Sequence, residues 1–274
     1  MTQAERGTVF RALHQRAYAF IIPNPWDQGT ARILAQLGFE ALASTSAGYA
    51  FSLGLPDNKV GRDRMIAHVA TIAGATDLPV SADLENGFGD AAETVAETIR
   101  RAAAAGIVGG SIEDSTGRAD APLYAREHAA DRIRAAAEAA HSLEFPFTLT
   151  ARAENFLVGR PDLADTIARL QAYQEAGADV LYAPGLGSRD DIATVLRSID
   201  RPLNVIMGLP GLQLTHDELS ELGVKRISVG SSLSRAALGE FLRAAREMRD
   251  HGTFSFGKSA VPSREVNAMF NTSD

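Results

Sequence analysis

Eight times along this chain a short β-branched or apolar run is followed by a longer stretch rich in Ala, Arg and Glu. The runs occupy 18–23, 39–44, 78–83, 107–113, 145–152, 178–183, 201–207 and 225–230. The stretches between them, such as "AAETVAETIRRAAAAG" and "LADTIARLQAYQEAG", read as helices. A helix in every crossover makes the sheet parallel. Gly38, Gly106, Gly177 and Gly223 stand just before strands, where a helix closes on a left-handed residue. Eight such units with no domain boundary predict a closed (β/α)8 TIM barrel, an α/β single domain over residues 1–274. No Gly-x-Gly-x-x-Gly follows the first run, which argues against a dinucleotide fold.

In such barrels chemistry sits at the C-terminal ends of the strands. The first end offers Asn24, Trp26 and Asp27. The second offers Ser44, Thr45 and Ser46, then a loop "AGYAFSLGLPD" that ends at Asp57. The third offers Asp83 and Glu85, the fourth Glu113 and Asp114, the fifth Arg152 and Glu154. Tyr182 and Pro184, Asn204, and Ser231 and Ser232 complete the circle. Asp83 and Glu85 share a face if the strand stays extended that far. Together with Glu113 they form three converging carboxylates, which repel unless a cation sits among them. All-oxygen donors favour Mg²⁺ or Mn²⁺; the competing reading makes these acids helix caps or surface ion pairs.

The other ends carry two readings each. Asp57 either stands above the acids or N-caps the next helix. Arg152 either captures a carboxylate or phosphate bidentately, or pairs with Glu154 or Glu113. Ser44, Thr45 and Ser46 either hold an anion with hydroxyls and amides or form a plain polar turn. "GSSLS" at 230–234 reads as a phosphate-binding helix start or as ordinary N-capping serine. His14, His68, His128, His141 and His251 read as surface residues, and His216 as part of a helix start.

Composition narrows the function classes. A net charge of −7 argues against nucleic acid as a partner. No segment approaches a membrane span of about 20 apolar residues. The first 17 residues lack the apolar stretch of a signal peptide, so a cytoplasmic location is the default. With no cysteine there are no disulfides, thiolate metal sites or cysteine catalysis.

The stretches "NPWDQGTARILAQLGFEALASTSAGYAFSLGLPD", "SADLENGFGD", "GGSIEDSTG", "TARAENF" and "GVKRISVGSS" together resemble the isocitrate lyase/phosphoenolpyruvate mutase superfamily, over roughly residues 18–235. The resemblance implies a (β/α)8 barrel, a Mg²⁺ ion, a small 2-oxo acid or dicarboxylate bound to it, and a homotetramer that exchanges its last helix. It implies that Asp83, Glu85 and Glu113 serve the metal, with Glu85 where Asp is common. Asp57 closes the "SLGLPD" loop. Ser44, Thr45 and Ser46 match the turn that holds the substrate, where lyases tend to have Gly for Thr45 and Ser46. Arg152 matches the arginine that pairs with a substrate carboxylate.

The departures are as informative. The Lys-Lys/Arg-Cys-Gly-His loop of the isocitrate and methylisocitrate lyases is replaced here by "DSTGRADAPLYAREH", and the mutase Lys-Asn loop is missing as well. Pro184 stands where lyases often have Glu and mutases His. The expected activity is a Mg²⁺-dependent carbon–carbon lyase acting through an enolate. Arg152, Asp57 and Tyr49 are the catalytic candidates, and Trp26, Ser44, Thr45, Ser46, Asp83, Arg152 and Asn204 the substrate-binding ones. Tyr182 and Tyr124 are further candidates for the proton donor, and Arg118 for closing over the substrate. The alternatives are a phosphonopyruvate-type mutase or hydrolase, an oxaloacetate decarboxylase, or a non-catalytic 2-oxo acid binder. Residues 235–274, with Phe254, Phe256 and Phe270, are expected at an oligomer interface or folded back on their own barrel.

Overall fold

Each of the eight apolar runs forms a short parallel strand, in the order expected of a barrel. They are β1 (Phe20–Ile22), β2 (Leu42–Ala43), β3 (Val80–Asp83), β4 (Gly109–Glu113), β5 (Thr148–Arg152), β6 (Val180–Tyr182), β7 (Leu203–Ile206) and β8 (Arg226–Ser228). The structure, a computed structural model, describes residues 1–270. Hydrogen-bonded neighbours run β1-β8-β7-β6-β5-β4-β3-β2. The remaining seam is bridged where the Ala43 amide donates to the Pro23 carbonyl at 3.1 Å. One row of register partners crosses five strands: Glu113, Arg152, Tyr182, Asn204 and Arg226.

The helices are α1 (Gln3–Leu13), α2 (Gln28–Gln36), α3 (Ser46–Ser52), α4 (Arg62–Ala73), α5 (Ala92–Ala104), α6 (Arg126–His141), α7 (Leu163–Glu175), α8 (Arg189–Ser198), α9 (His216–Leu222), α10 (Ser232–His251) and α11 (Ser263–Ala268), with a 3₁₀ turn at Ser255–Lys258. Side chains of Asp27, Asp162, Ser188 and Thr215 cap the starts of α2, α7, α8 and α9. Gly38, Gly106, Gly177 and Gly223 follow helices at φ of 87°, 90°, 104° and 101°, a region that strains any residue with a Cβ. One element departs from the sequence expectation. Part of the stretch read as a loop before Asp57 is the short helix α3, capped by Thr45 Oγ1 accepting from the Gly48 amide. Its Gly-Tyr-Ala-Phe core gave no apolar period long enough to show this.

Helix α1 closes the N-terminal end of the barrel. Phe10 packs so tightly on β4 that a Cβ on Gly109 would lie 2.7 Å from its ring. His14 packs edge-on against Phe10 and Phe20, with ring centroids 4.9 Å away in both cases. His14 and His68 are therefore buried, not surface residues as their sequence context implied. Burial, aided by the Arg226 charge, pulls His14 down to about 3. A base with a depressed folded pKa binds fewer protons than the unfolded chain, so its contribution is lost as pH falls from about 6.5 toward 3. His14→Phe is thus expected to flatten the fall in stability between pH 6.5 and 4.5, on the order of 2 kcal/mol. Urea midpoints at both pH values measure this; a variant with the wild-type slope refutes it.

Helix α10 is largely exposed for its length. Of its 20 residues only Ser234 is buried. Leu238, Phe241, Leu242 and Met248 form a helical stripe open to solvent, with Phe241 66% exposed. Beyond it, the Phe270 ring lies 3.8 Å from where a Cβ on Gly29 would sit, so this part of the tail returns to its own α2. Phe254 stays 70% exposed.

Candidate active site

The C-terminal ends of the strands surround a cavity of about 410 Å³. Ser44, Thr45, Ser46, Asp57, Asp83, Glu113, Arg152 and Asn204 line it, as sequence reasoning placed them. Trp26 and Tyr49 do not. Trp26 is half-buried, and a Cβ on Gly48 would lie 2.9 Å from its Cβ. Tyr49 stacks flat on His68, with ring centroids 3.6 Å apart. Tyr124 is also drawn away: its hydroxyl donates to Asp90 Oδ1 at 2.5 Å and accepts from Asn86 Nδ2 at 3.2 Å. Of the three candidate tyrosines, Tyr182 alone lines the cavity, and burial pushes it up to about 12.

Arg152 stands in the middle of the acids. Its Nε donates to Glu154 at 2.9 Å, while Nη1 meets Asp83 and Nη2 meets Glu113, both at 3.2 Å. Burial acts against its charge, but Glu154, Glu113 and Asp83 outweigh that and hold the guanidinium charged. Burial raises Glu113 well above the usual carboxylate range, with Arg152 pulling the other way. The acids of β3 and β4 therefore share a base, supplied by β5, two strands removed from β3.

Asp83 is fixed from the opposite side. The Ser46 amide and hydroxyl donate to its Oδ2 at 3.0 and 2.9 Å, and its own amide donates to Ser44 Oγ at 2.9 Å. The start of α3 therefore orients an acid with the groups expected to hold an anion. Glu85 departs from expectation. The strand ends at Asp83, and Glu85 sits at φ 50°, so the two do not share one face of an extended strand. Glu85 lines a second, adjoining cavity of about 620 Å³, which shares Glu113, Ser115 and Asn58 with the first. Burial, then the Asp83 and Asp57 charges, push Glu85 up to about 8, and its buried Oε1 has no hydrogen-bond partner.

These facts bear on a metal in two ways. Among the described residues no three His, Cys, Asp or Glu side chains are gathered into a ready cage. The donor chemistry nevertheless fits a hard divalent cation: Asp57, Asp83, Glu85, Glu113 and Glu154 stand around Arg152, and one buried carboxyl oxygen is orphaned. An ion that keeps several waters, as Mg²⁺ does, needs few direct protein ligands.

Other expectations change. Asp57 caps nothing, because α4 is capped by Gly61; it stays exposed at the rim. Partial burial and the Asp83 charge raise its proton affinity. Asp114 points away from the cavity, accepting from the Glu154 amide at 2.8 Å, the Tyr173 hydroxyl at 2.5 Å and Arg169 at 3.1 Å. At the "GSSLS" start the Val229 and Gly230 amides both donate to Asn24 Oδ1 at 2.9 Å, so these two amides are already engaged. The short 115–125 loop is a closed hairpin, with a Ser115–Leu123 bridge and the Thr116 amide on the Pro122 carbonyl at 2.9 Å. Arg118 is tied to Asp90 at 2.8 Å at its edge, not poised over the mouth.

The phosphoenolpyruvate phosphomutase family model matches residues 10–249. The chain belongs to that family. A crystal structure of a Burkholderia cenocepacia J2315 protein superposes with a TM-score of 0.96 at 65% identity, covering 99% of this chain and 98% of that one. The oxaloacetate decarboxylase of Pseudomonas syringae pv. tomato (strain DC3000) is 31% identical over 250 residues, 88% of this chain and 83% of its own. A phosphonopyruvate hydrolase solved with oxalate and Mg²⁺ is 26% identical with a TM-score of 0.85, over 98% of this chain and 95% of that one. The phosphomutase-family barrel thus carries lyases, decarboxylases and phosphonate enzymes, and this chain is a lyase-type enzyme of the isocitrate lyase/phosphoenolpyruvate mutase superfamily.

Sequence reasoning missed Arg226, which lines the cavity floor. Its signal was available: "KRIS" places a charge inside an apolar strand, where polar residues are seldom idle.

Proposed function

We infer that this protein breaks a carbon–carbon bond in a small 2-oxo or 2-hydroxy dicarboxylate, with oxaloacetate-like acids foremost, and depends on Mg²⁺ or Mn²⁺. The observation that carries this reading is the excess of carboxyls over counter-charge at the mouth of a small cavity. Asp83, Glu85 and Glu113 would hold the ion, in part through water. Bound there, it would supply Lewis acidity at the carbonyl oxygen of a 2-oxo acid, where enolate charge grows. The chain's own residues do the positioning. Ser46 fixes Asp83, and Arg152 holds Asp83, Glu113 and Glu154 in one arrangement. Asp57, at the rim with raised proton affinity, is the group suited to move a proton.

Similarity to an oxaloacetate decarboxylase supports the same reading. Loss of CO₂ from a 2-oxo dicarboxylate needs no acid before the bond breaks, which suits a chain without the Lys or Cys of the lyase loop. A phosphonate substrate is less well served, because the first cavity has only Arg152 and Arg226 as bases and Arg152 is fully paired. The test is incubation with Mg²⁺ or Mn²⁺ and a panel of 2-oxo and 2-hydroxy dicarboxylates, followed by proton NMR. Product formation above the metal-only background is expected for at least one acid. An unchanged panel overturns the reading.

The α10 stripe supports a homotetramer in which this helix packs on a neighbour. Phe241→Glu is then expected to reduce the mass seen by light scattering to that of smaller species, with the circular dichroism of the barrel retained. A monomeric wild type counts against it. No helix among the described residues is long and apolar enough to cross a membrane.

A further inference from the structure

The cavity floor holds a cation that none of the site's acids reaches. Arg226, on β8, is 4% exposed and lines the cavity. Its Nε donates to Asn204 Oδ1 at 2.8 Å, and Asn204 is itself held by donating Nδ2–H to Ser228 Oγ at 3.0 Å. Its Nη1 is buried and has no hydrogen-bond partner. The titratable neighbours that bear on it are Arg152, the Tyr182 hydroxyl and, from α1, the buried His14, with no carboxylate among them, and burial pulls it down to about 10. Arg152, three strands away in the same register row beyond Asn204 and Tyr182, spends all three guanidinium nitrogens on Glu154, Asp83 and Glu113.

Leaving a guanidinium buried and unpaired is costly, and arginine does not escape the cost by shedding its proton. The group is also oriented, because Asn204 Oδ1 holds its Nε while the residue lines the cavity. An anion of suitable length would remove the penalty. We propose that Arg226 anchors the substrate carboxylate farthest from the acidic cluster, and so sets a preference for dicarboxylic over monocarboxylic 2-oxo acids. This rests on the lyase reading above and adds the group that recognises the second acid. A single guanidinium matches a carboxylate better than a phosphonate dianion, which usually draws several bases. Asn204, expected from sequence to bind substrate, becomes the residue that positions Arg226.

Calorimetry in the presence of Mg²⁺ tests this with pyruvate as the monoacid and 2-oxoglutarate, malate and oxaloacetate as the diacids. Wild type is expected to bind at least one diacid 10-fold or more tighter than pyruvate. Arg226→Gln should remove that advantage, about a 10- to 100-fold loss for the diacid, and leave pyruvate within about threefold. Arg226→Lys should retain part of it, and decides the matter if the Gln variant does not fold. An unchanged diacid-to-pyruvate ratio in a folded variant makes Arg226 an internal, water-solvated cation and overturns the proposal. So does a wild type without diacid preference, or one that prefers phosphonopyruvate to every diacid. If wild type binds neither pyruvate nor any diacid, the lyase reading itself has failed, which is a separate result.

Discussion

Arg152→Met is expected to cost the folded chain about 3–5 kcal/mol at pH 8 and to abolish measurable turnover. The change removes one cation from among the buried Glu113 and Glu154 and the part-buried Asp83, while leaving the space filled. Asp83, Glu113 and Glu154 each lose an ion pair of 2.9–3.2 Å. Glu113 and Glu154, already raised by burial, are then opposed by nothing. They can stay buried by taking up protons, so their folded pKa values lie further above the unfolded ones. A folded state that binds more protons than the unfolded state loses stability as pH rises. The deficit relative to wild type should therefore be largest at pH 8 and shrink toward pH 5.5. Denaturant midpoints at the two pH values check it. An equal deficit at both would mean that Arg152 acts through packing alone.

Asp83→Ala is expected to lower turnover by about a thousandfold or more and to end metal-dependent ligand binding. Asp83 accepts from the Ser46 amide, the Ser46 hydroxyl and Arg152 at once. Removing it leaves buried donors without acceptors, which costs about 1–3 kcal/mol. The barrel, held by its ladder, should survive. Asp83→Asn separates shape from charge: it can still accept from Ser46 but offers no charge to a cation. The two variants are expected to be equally inactive, with the Asn form the more stable. Ligand affinity that is unchanged with and without Mg²⁺ in either variant would remove Asp83 from the metal assignment.

The strands were legible because each is a short apolar run between a helix and a turn, and backbone pairing demands little beyond that. The glycines at 38, 106, 177 and 223 were legible because a left-handed residue has few substitutes. Most of the cavity lining was legible too, since the strand ends of a barrel share one rim. What escaped depended on conformation or on long range. Glu85 reads as sharing the face of Asp83, because nothing in "SADLENG" announces that the strand stops at Asp83 and turns left-handed at Glu85. The threefold pairing of Arg152 needs residues 69 and 39 positions away to meet it, and sequence could offer Glu154 or Glu113 only as alternatives. Tyr49 reads as a mouth residue only where residues 46–52 are loop; as helix α3, they turn its ring onto His68. Arg226 was hidden inside a strand that otherwise looked like core.

The row Glu113–Arg152–Tyr182–Asn204–Arg226 joins five neighbouring strands through consecutive backbone partners. Its charged and polar groups are therefore spaced by the ladder itself, not by the loops above. In amide exchange, the backbone beneath the site should be among the last to open, while the 115–125 hairpin and the 55–60 segment exchange early. For laboratory redesign this divides the labour: loops can be grafted from other members of the family to change which acid enters, and the charge pattern on the floor should pass through such grafts unaltered.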